Sequence, residues 1–330
     1  MSVSGLIDTS FLGANAGLLA DAGRLLTEQV LARPEALVGI TIDATLAPGG
    51  TAIASLVPLL RAGHVDWMAV SGTNLYFDAL HALGKTHLRG SLAQDSAYEH
   101  SGGEVFIKRC DRQDADHRLR EILSGPDFQR PMGSAALHDL LGRHLRAEEK
   151  DLGVEFPSLI TTAHELGVPV YNPSPADNPL GSLVAGLAEV GNRLSIDTNR
   201  DLNQIAAIVN AAGKSPCAIW CLGRGSAANF GLSGPGHLRR ILGAHATAAF
   251  YEVRLLMAGR AHALPTTPPD QGRELRLSTD LSIAMPLLAA YVLDRATPRP
   301  LKRLGGRRDE MLDRLRQDNL ESKLKRPPAS

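Results

Sequence analysis

The chain has no excess of either charge: 35 Lys and Arg stand against 35 Asp and Glu. A balance of that kind gives no global field for binding nucleic acid or an anionic membrane. Cysteine is scarce. Cys110, Cys217 and Cys221 cannot form a disulfide framework, which points to a reducing compartment. Cys217 and Cys221 resemble half of a metal site, but no second pair or histidine cluster completes one, and both lie in an apolar run that reads as core. No stretch approaches the roughly 20 apolar residues needed to span a bilayer. The opening residues MSVSGLIDTSFLGANAG have neither a basic n-region nor a long apolar core, so they do not read as a signal peptide. The expectation is a cytoplasmic protein with no nucleic-acid or membrane partner. Internal repeats are also missing.

What is present is a rhythm. With 330 residues, 44% hydrophobic and 21% charged, there is material for one large α/β domain or two small ones. Residues 14–33 read as an amphipathic helix, with Leu18, Leu19, Leu25, Leu26, Val30 and Leu31 near helical spacing. Leu37–Ile42 reads as a buried strand, Ala47-Pro48-Gly49-Gly50 as a turn and Thr51–Ala62 as a helix. Val65–Val70 is the next strand, followed by Ser71-Gly72-Thr73-Asn74 and a helix through Leu83. This alternation is the βαβ signature of a parallel sheet with helices on both faces. Residues 85–150 are more polar, with a strand at Val105–Ile107 and a charged surface helix over 134–150. The rhythm then resumes with a helix at Phe156–Leu166, a strand at Val168–Tyr171, a loop at Asn172–Asn178 and a helix at Leu180–Val190. A helix over 199–212 follows, its first turn ready to be capped by Asp197 or Thr198. Strands near Ala248–Val253 and Leu275–Ser278 and a helix at Leu281–Leu293 complete the core. His81 and His164 fall on helix patterns and read as structural.

The most informative stretch is PCAIWCLGRGSAANF, residues 216–230. Its apolar run, Cys217 to Leu222, reads as a strand covered on both faces. The exit, Gly223-Arg224-Gly225-Ser226, has two readings: a tight turn after a core strand, or a place where backbone amides meet phosphate oxygens. At the other end of the chain, residues 301–330 carry nine Lys and Arg against five Asp and Glu. Met311, Leu312, Leu315, Leu320 and Leu324 are spaced for one apolar stripe. That tail reads either as a solvated extension or as a helix docking on a partner subunit. The division expected is an N-terminal helical segment (1–35), a main domain (36–295) and a basic extension (296–330).

Three segments together resemble the deoxyhypusine synthase family, in particular its bacterial deoxyhypusine synthase-like branch. They are ITIDATLAPGGTAIASLVPLLRAGHVDWMAVSGTNLYFDAL (40–80), EFPSLITTAHELGVPVYNPSPADNPLGSL (155–183) and NRDLNQIAAIVNAAGKSPCAIWCLGRGSAANF (199–230), with TDLSIAMPLLAAYVL (279–293) following in order. The resemblance implies a Rossmann-like fold that binds NAD, in a homotetramer or dimer of dimers. It also implies oxidation of spermidine and transfer of the aminobutyl group through an enzyme lysine to an acceptor amine. It assigns Ser71, Gly72 and Thr73 to the loop against the cofactor, Asp177 and Asp280 to its carboxylates, and Gly223 and Gly225 to a triple-glycine turn with Arg224 in the middle place. Each has a plainer reading: Asp177 as a turn residue, Asp280 as a helix cap, Ser71–Thr73 as a tight loop. Arg224 either clamps a phosphate or crowds the site.

The amine side departs from the family. The region matching its Ser-Trp-Gly-Lys motif, residues 250–280, has no lysine and no tryptophan. Phe77 stands where the family has a carboxylate or histidine, Ser182 where it has a second acid, and Ala228, followed by Asn229, where it has a basic residue. A polyamine needs carboxylates for its charges and aromatic faces for its chain, and the lysine is the covalent carrier. Polar candidates remaining for a substrate pocket are Tyr76, Asp78, Ser182 and Arg254, beside Phe77. Tyr251, Glu252 and Asn229 are the candidates for acid–base work. Three functions follow: a divergent NAD-dependent enzyme acting on a small-molecule amine without a lysine carrier, a catalytically silent NAD-binding paralogue or scaffold subunit, or a true aminobutyl transferase whose lysine comes from elsewhere, such as Lys302.

Overall fold

Every side chain of Leu37–Ile42 is buried, so this strand is covered on both faces. Its alternation sends Val38, Ile40 and Ile42 to one core and Leu37 to another. Gly39 has no side chain because Trp67 fills its place; a Cβ there would lie 2.1 Å from the indole. The computed structural model describes residues 2–43, 46, 50–90, 95–102, 105–243, 250–256 and 274–324.

Six strands form the main sheet. In chain order they are β1 (Leu37–Ile42), β2 (Trp67–Val70), β3 (Val170–Tyr171), β4 (Cys217–Leu222), β5 (Phe250–Leu256) and β6 (Glu274–Ser278). All neighbours are parallel and the spatial order is 6-5-4-1-2-3. The chain builds outward from β1 to one edge, then returns to β4 and builds to the other. Crevices open where the order reverses, outside the carboxyl ends of β1 and β4. Helices Thr51–Arg61, Gly72–Ala82 and Leu281–Arg295 contribute to the first core. Thr198–Ala212, Ser226–Leu242 and Arg308–Leu324 contribute to the second. This is the doubly covered parallel sheet expected. A three-stranded antiparallel sheet (Leu88–Arg89, Val105–Lys108, Tyr98–Gly102) and a parallel pair (Pro131–Met132, Ser195–Ile196) lie outside it.

Several elements differ from the expectation. Helix Val3–Ser10 packs on Leu281–Arg295, with Tyr291 donating to Asp8 at 3.0 Å. The long helix from residue 14 is α-helical only over Ala14–Arg24 and continues as a π-helix over Leu25–Leu31. A helix at Arg109–Leu123 has no clear apolar signature, because its buried stripe is only Ala115, Leu119, Ile122 and Leu123. The helix expected from Phe156 begins at Leu159. Ser158 caps it by accepting from the Thr161 amide at 3.2 Å, and Phe156 stays exposed. The Ala47-Pro48-Gly49 turn and Ala248 lie outside the described residues.

The basic tail folds back on its own chain. Met311, Leu312 and Leu315 are buried in the second core, whereas Leu320 is 62% exposed, so the stripe ends early. The side chain of Leu324 lies outside the described residues. Where the tail begins, Arg299 and Lys302 close on Asp66, which is 4% exposed at the amino ends of β1 and β2. Asp66 accepts from the Val38 amide at 2.8 Å, from Arg299 at 3.0 Å and from Lys302 at 3.2 Å. Both cations also donate to the Ala36 carbonyl.

Candidate active site at the carboxyl edge

β1 runs one residue past its last apolar side chain into Asp43. The Asp43 amide donates to the Leu222 carbonyl at 2.9 Å, which extends the β1–β4 pairing to the sheet's edge. Its carboxylate then reaches the first turn of helix Ser226–Leu242. One oxygen accepts from the Ala227 amide and the other from the Ala228 amide, each at 2.9 Å. A carboxylate is favoured at a helix N-terminus by these amides and by the helix dipole. Burial nevertheless pushes the Asp43 carboxyl above its ordinary range, against the pull of the two amides.

The glycines of the turn follow from this contact. Gly223 has φ +95°, which a side chain rarely adopts, and its amide donates to the Leu255 carbonyl at 2.9 Å. A Cβ on Gly225 would lie 2.4 Å from the Asp43 carboxylate. Arg224 between them is exposed.

The loop after β2 is locked to the loop after β3. The Ser71 amide donates to the Ile42 carbonyl at 2.8 Å. Asn74 donates to the Ser71 hydroxyl and accepts from the Leu46 amide, both at 2.9 Å. Gly72 is buried against Asn178, where a Cβ would lie 2.0 Å from the amide nitrogen. Asn178 caps helix Pro179–Ala188 by accepting from the Gly181 amide at 3.0 Å. Asp177 is exposed, on the single turn Pro175–Asp177. Thr73 is half-buried. Asp280, after β6, caps helix Leu281–Arg295, accepting from the Ser282 amide at 2.8 Å, and these bonds hold its carboxyl below the usual range.

The fold therefore brings Ser71, Gly72, Thr73, Asp177, Gly223, Arg224, Gly225 and Asp280 to one edge of the sheet. Of the acid–base candidates, Asn229 lies there too, in the first turn of helix Ser226–Leu242, but Tyr251 and Glu252 do not. Tyr251 pairs with Ala218 and Glu252 with Ile219, in the amino half of β5. At about 3.3 Å per residue they lie roughly 13–17 Å from the edge. Arg254 is closer, but it is held by Glu252 and by Glu274 at 3.4 Å. Tyr76 is buried and donates to Asp116 at 2.7 Å while accepting from Arg112 at 3.2 Å. Phe77 packs edge-on against His87. Asp78 is fully engaged with another helix, accepting from the Leu159 and Ile160 amides at 2.8 and 2.7 Å. Burial lifts its carboxyl to about 6. Asn229 and Ser182 are exposed on their helices.

Asp43 was not among the candidates read from the sequence. Its signal is an acid placed directly after a mostly apolar strand, where a strand end at a sheet's carboxyl edge is expected. A separate groove of about 650 Å³ between helices Thr198–Ala212 and Arg308–Leu324 is lined by Asp197, Arg200, Asp309, Asp313 and Arg316. Its charges pair internally, Arg200 with Asp309 at 2.8 Å and Arg316 with Asp313 at 2.7 Å. Among the described residues no group of acids, histidines and cysteines is arranged to hold a metal, and no helix is long and apolar enough to cross a membrane.

The deoxyhypusine synthase family model matches residues 7–234. The chain belongs to the deoxyhypusine synthase family. A deoxyhypusine synthase-like protein of Nostoc sp. is 36% identical, over 98% of this chain and 90% of its own. One of Thermosynechococcus vestitus is 34% identical, over 98% and 86%. A crystal structure from Entamoeba histolytica, provisionally described as a deoxyhypusine synthase, has a TM-score of 0.58 at 15% identity, covering 91% of this chain and 96% of its own. That likeness shows the fold.

Deoxyhypusine synthases are in general NAD-dependent and oligomeric. The edge of this deoxyhypusine synthase-like sheet fits a dinucleotide in its strand order and in the small residues at 71–73, 223 and 225. The Ala227 and Ala228 amides are the exception, since Asp43 holds both. A second negative charge about 4 Å from an ionised carboxylate is opposed by about 4 kcal/mol at an effective dielectric of about 20.

Proposed function

We propose that this deoxyhypusine synthase-like chain is a divergent NAD-dependent enzyme that oxidises a small amine in the crevice between β1 and β4. The supporting observation is the sheet order 6-5-4-1-2-3, with the loops after β1, β2, β3 and β4 meeting at one edge. Ser71–Thr73 and Gly223–Gly225 would line the cofactor, and the exposed carboxylate of Asp177 suits ribose hydroxyls. NAD, when bound, supplies the hydride acceptor for converting an amine to an imine. Capture of that imine by a second amine needs no covalent carrier.

The placement of Lys302 supports a path without a lysine carrier. Lys302 is tied to Asp66 and the Ala36 carbonyl at the amino edge, the opposite end of β1 from Asp43. Most of the lysine-free stretch, residues 257–273, lies outside the described residues. A catalytically silent NAD-binding subunit is the second reading. It is favoured by the engagement of Tyr76 and Asp78 in structural bonds. A homotetramer or dimer of dimers, a cytoplasmic setting, and the division at residues 35 and 295 belong to the same proposal.

Titration of the purified chain with NAD to millimolar concentration tests the cofactor; saturable binding is expected, and none at that limit contradicts the reading. Incubation with NAD and spermidine followed by borohydride is expected to leave no lysine adduct. A trapped lysine would restore the ordinary transferase.

A further inference from the structure

From the geometry we infer that Asp43 occupies the phosphate position of its own crevice, and so sets how tightly this chain holds any phosphate-bearing ligand there. The inference rests on the NAD reading for the ligand but not for the contact. The first-turn amides of helix Ser226–Leu242 are the groups that would otherwise meet phosphate oxygens after a glycine turn. In this chain the Ala227 and Ala228 amides each receive one Asp43 oxygen at 2.9 Å. Gly225 is a glycine because that carboxylate approaches its Cα side, where a Cβ would meet it at 2.4 Å.

The position of Asp43 is fixed independently of the helix. Its backbone amide is held by Leu222 across the β1–β4 boundary. The carboxylate therefore approaches from the sheet, as an anion in the crevice would. It is not a residue of the helix's own preceding turn capping itself. A pyrophosphate entering the crevice meets a negative charge where the fold otherwise offers donors. Asp43 is thus a specificity-determining residue: it weakens anionic ligands and leaves uncharged or cationic ones less affected.

The test is calorimetric titration of the intact chain with inorganic pyrophosphate and, separately, with NAD at constant ionic strength. Wild type is compared with Asp43→Ala, and with Asp43→Asn in case the alanine variant fails to fold; the asparagine side-chain oxygen still accepts from one amide without the charge. Either folded variant is expected to bind pyrophosphate at least tenfold more tightly than wild type, and NAD likewise. Unchanged or weaker pyrophosphate binding by a folded variant overturns the role of Asp43. Tighter pyrophosphate binding with no NAD binding in any protein supports Asp43 and overturns the NAD reading instead.

Discussion

Replacing Asp66 by Asn removes the negative charge that fastens the C-terminal segment to the amino edge of the sheet. Asp66 is 4% and Arg299 7% exposed, and Lys302 is half-buried beside them. The carboxylate accepts from the Val38 amide, Arg299 and Lys302 at 2.8–3.2 Å, so the change leaves two cations facing a neutral amide. Breaking a buried pair from one side costs about 3–5 kcal/mol, because the uncompensated charge remains buried. Large domains shift in Tm by about 2–4 °C per kcal/mol, so Tm should fall by roughly 6–20 °C. Urea denaturation and a thermal scan measure this. The Lys302→Met variant should lose less, since Arg299 still closes on Asp66, and should bind NAD as wild type does. A loss below about 1 kcal/mol for Asp66→Asn would refute the reasoning, because losses of that size belong to exposed pairs. Loss of NAD binding in Lys302→Met would refute the separation of the two edges.

Three further predictions bear on the site and its frame. Gly72→Ala should push Asn178 off its cap on Pro179–Ala188, costing about 1–2 kcal/mol for the cap and weakening NAD at least tenfold; unchanged NAD affinity would detach this loop from the site. Asp78→Asn leaves one of the Leu159 and Ile160 amides without an acceptor, a loss of about 1–3 kcal/mol, with NAD affinity unchanged; a selective loss of ligand binding would give Asp78 a role in the pocket. Burial holds His138 down to about 4, so its contribution to stability is present above about pH 6.5 and is lost as pH falls through about 4. The stability difference between wild type and His138→Gln should shrink by about 3 kcal/mol over that range, and a difference independent of pH would contradict the neutral buried ring.

The parallel sheet was legible because its strands are short apolar runs separated by small-residue loops, as at Val70-Ser71-Gly72 and Leu222-Gly223. Covered on both faces, they have no polar alternation to confuse the reading. Arg109–Leu123 was not legible, since four buried side chains among many charges do not make a recognisable stripe. At the site, the residues assigned to a cofactor came from the family resemblance of the loop segments, and the fold gathers them at one edge. Tyr251 and Glu252 were chosen for their chemistry, and the parallel register of β5 carries them to its far half. Asp43 escaped notice because its partners, Ala227 and Ala228, are 184 and 185 residues away in sequence and contribute only backbone amides. No side-chain pattern announces such a bond.

The central claim is that the carboxyl edge between β1 and β4 holds NAD. A calorimetric titration of the intact wild-type chain with NAD, carried to millimolar concentration, tests it most directly. The account predicts saturable binding at one site per chain. A titration with no heat beyond dilution would contradict it.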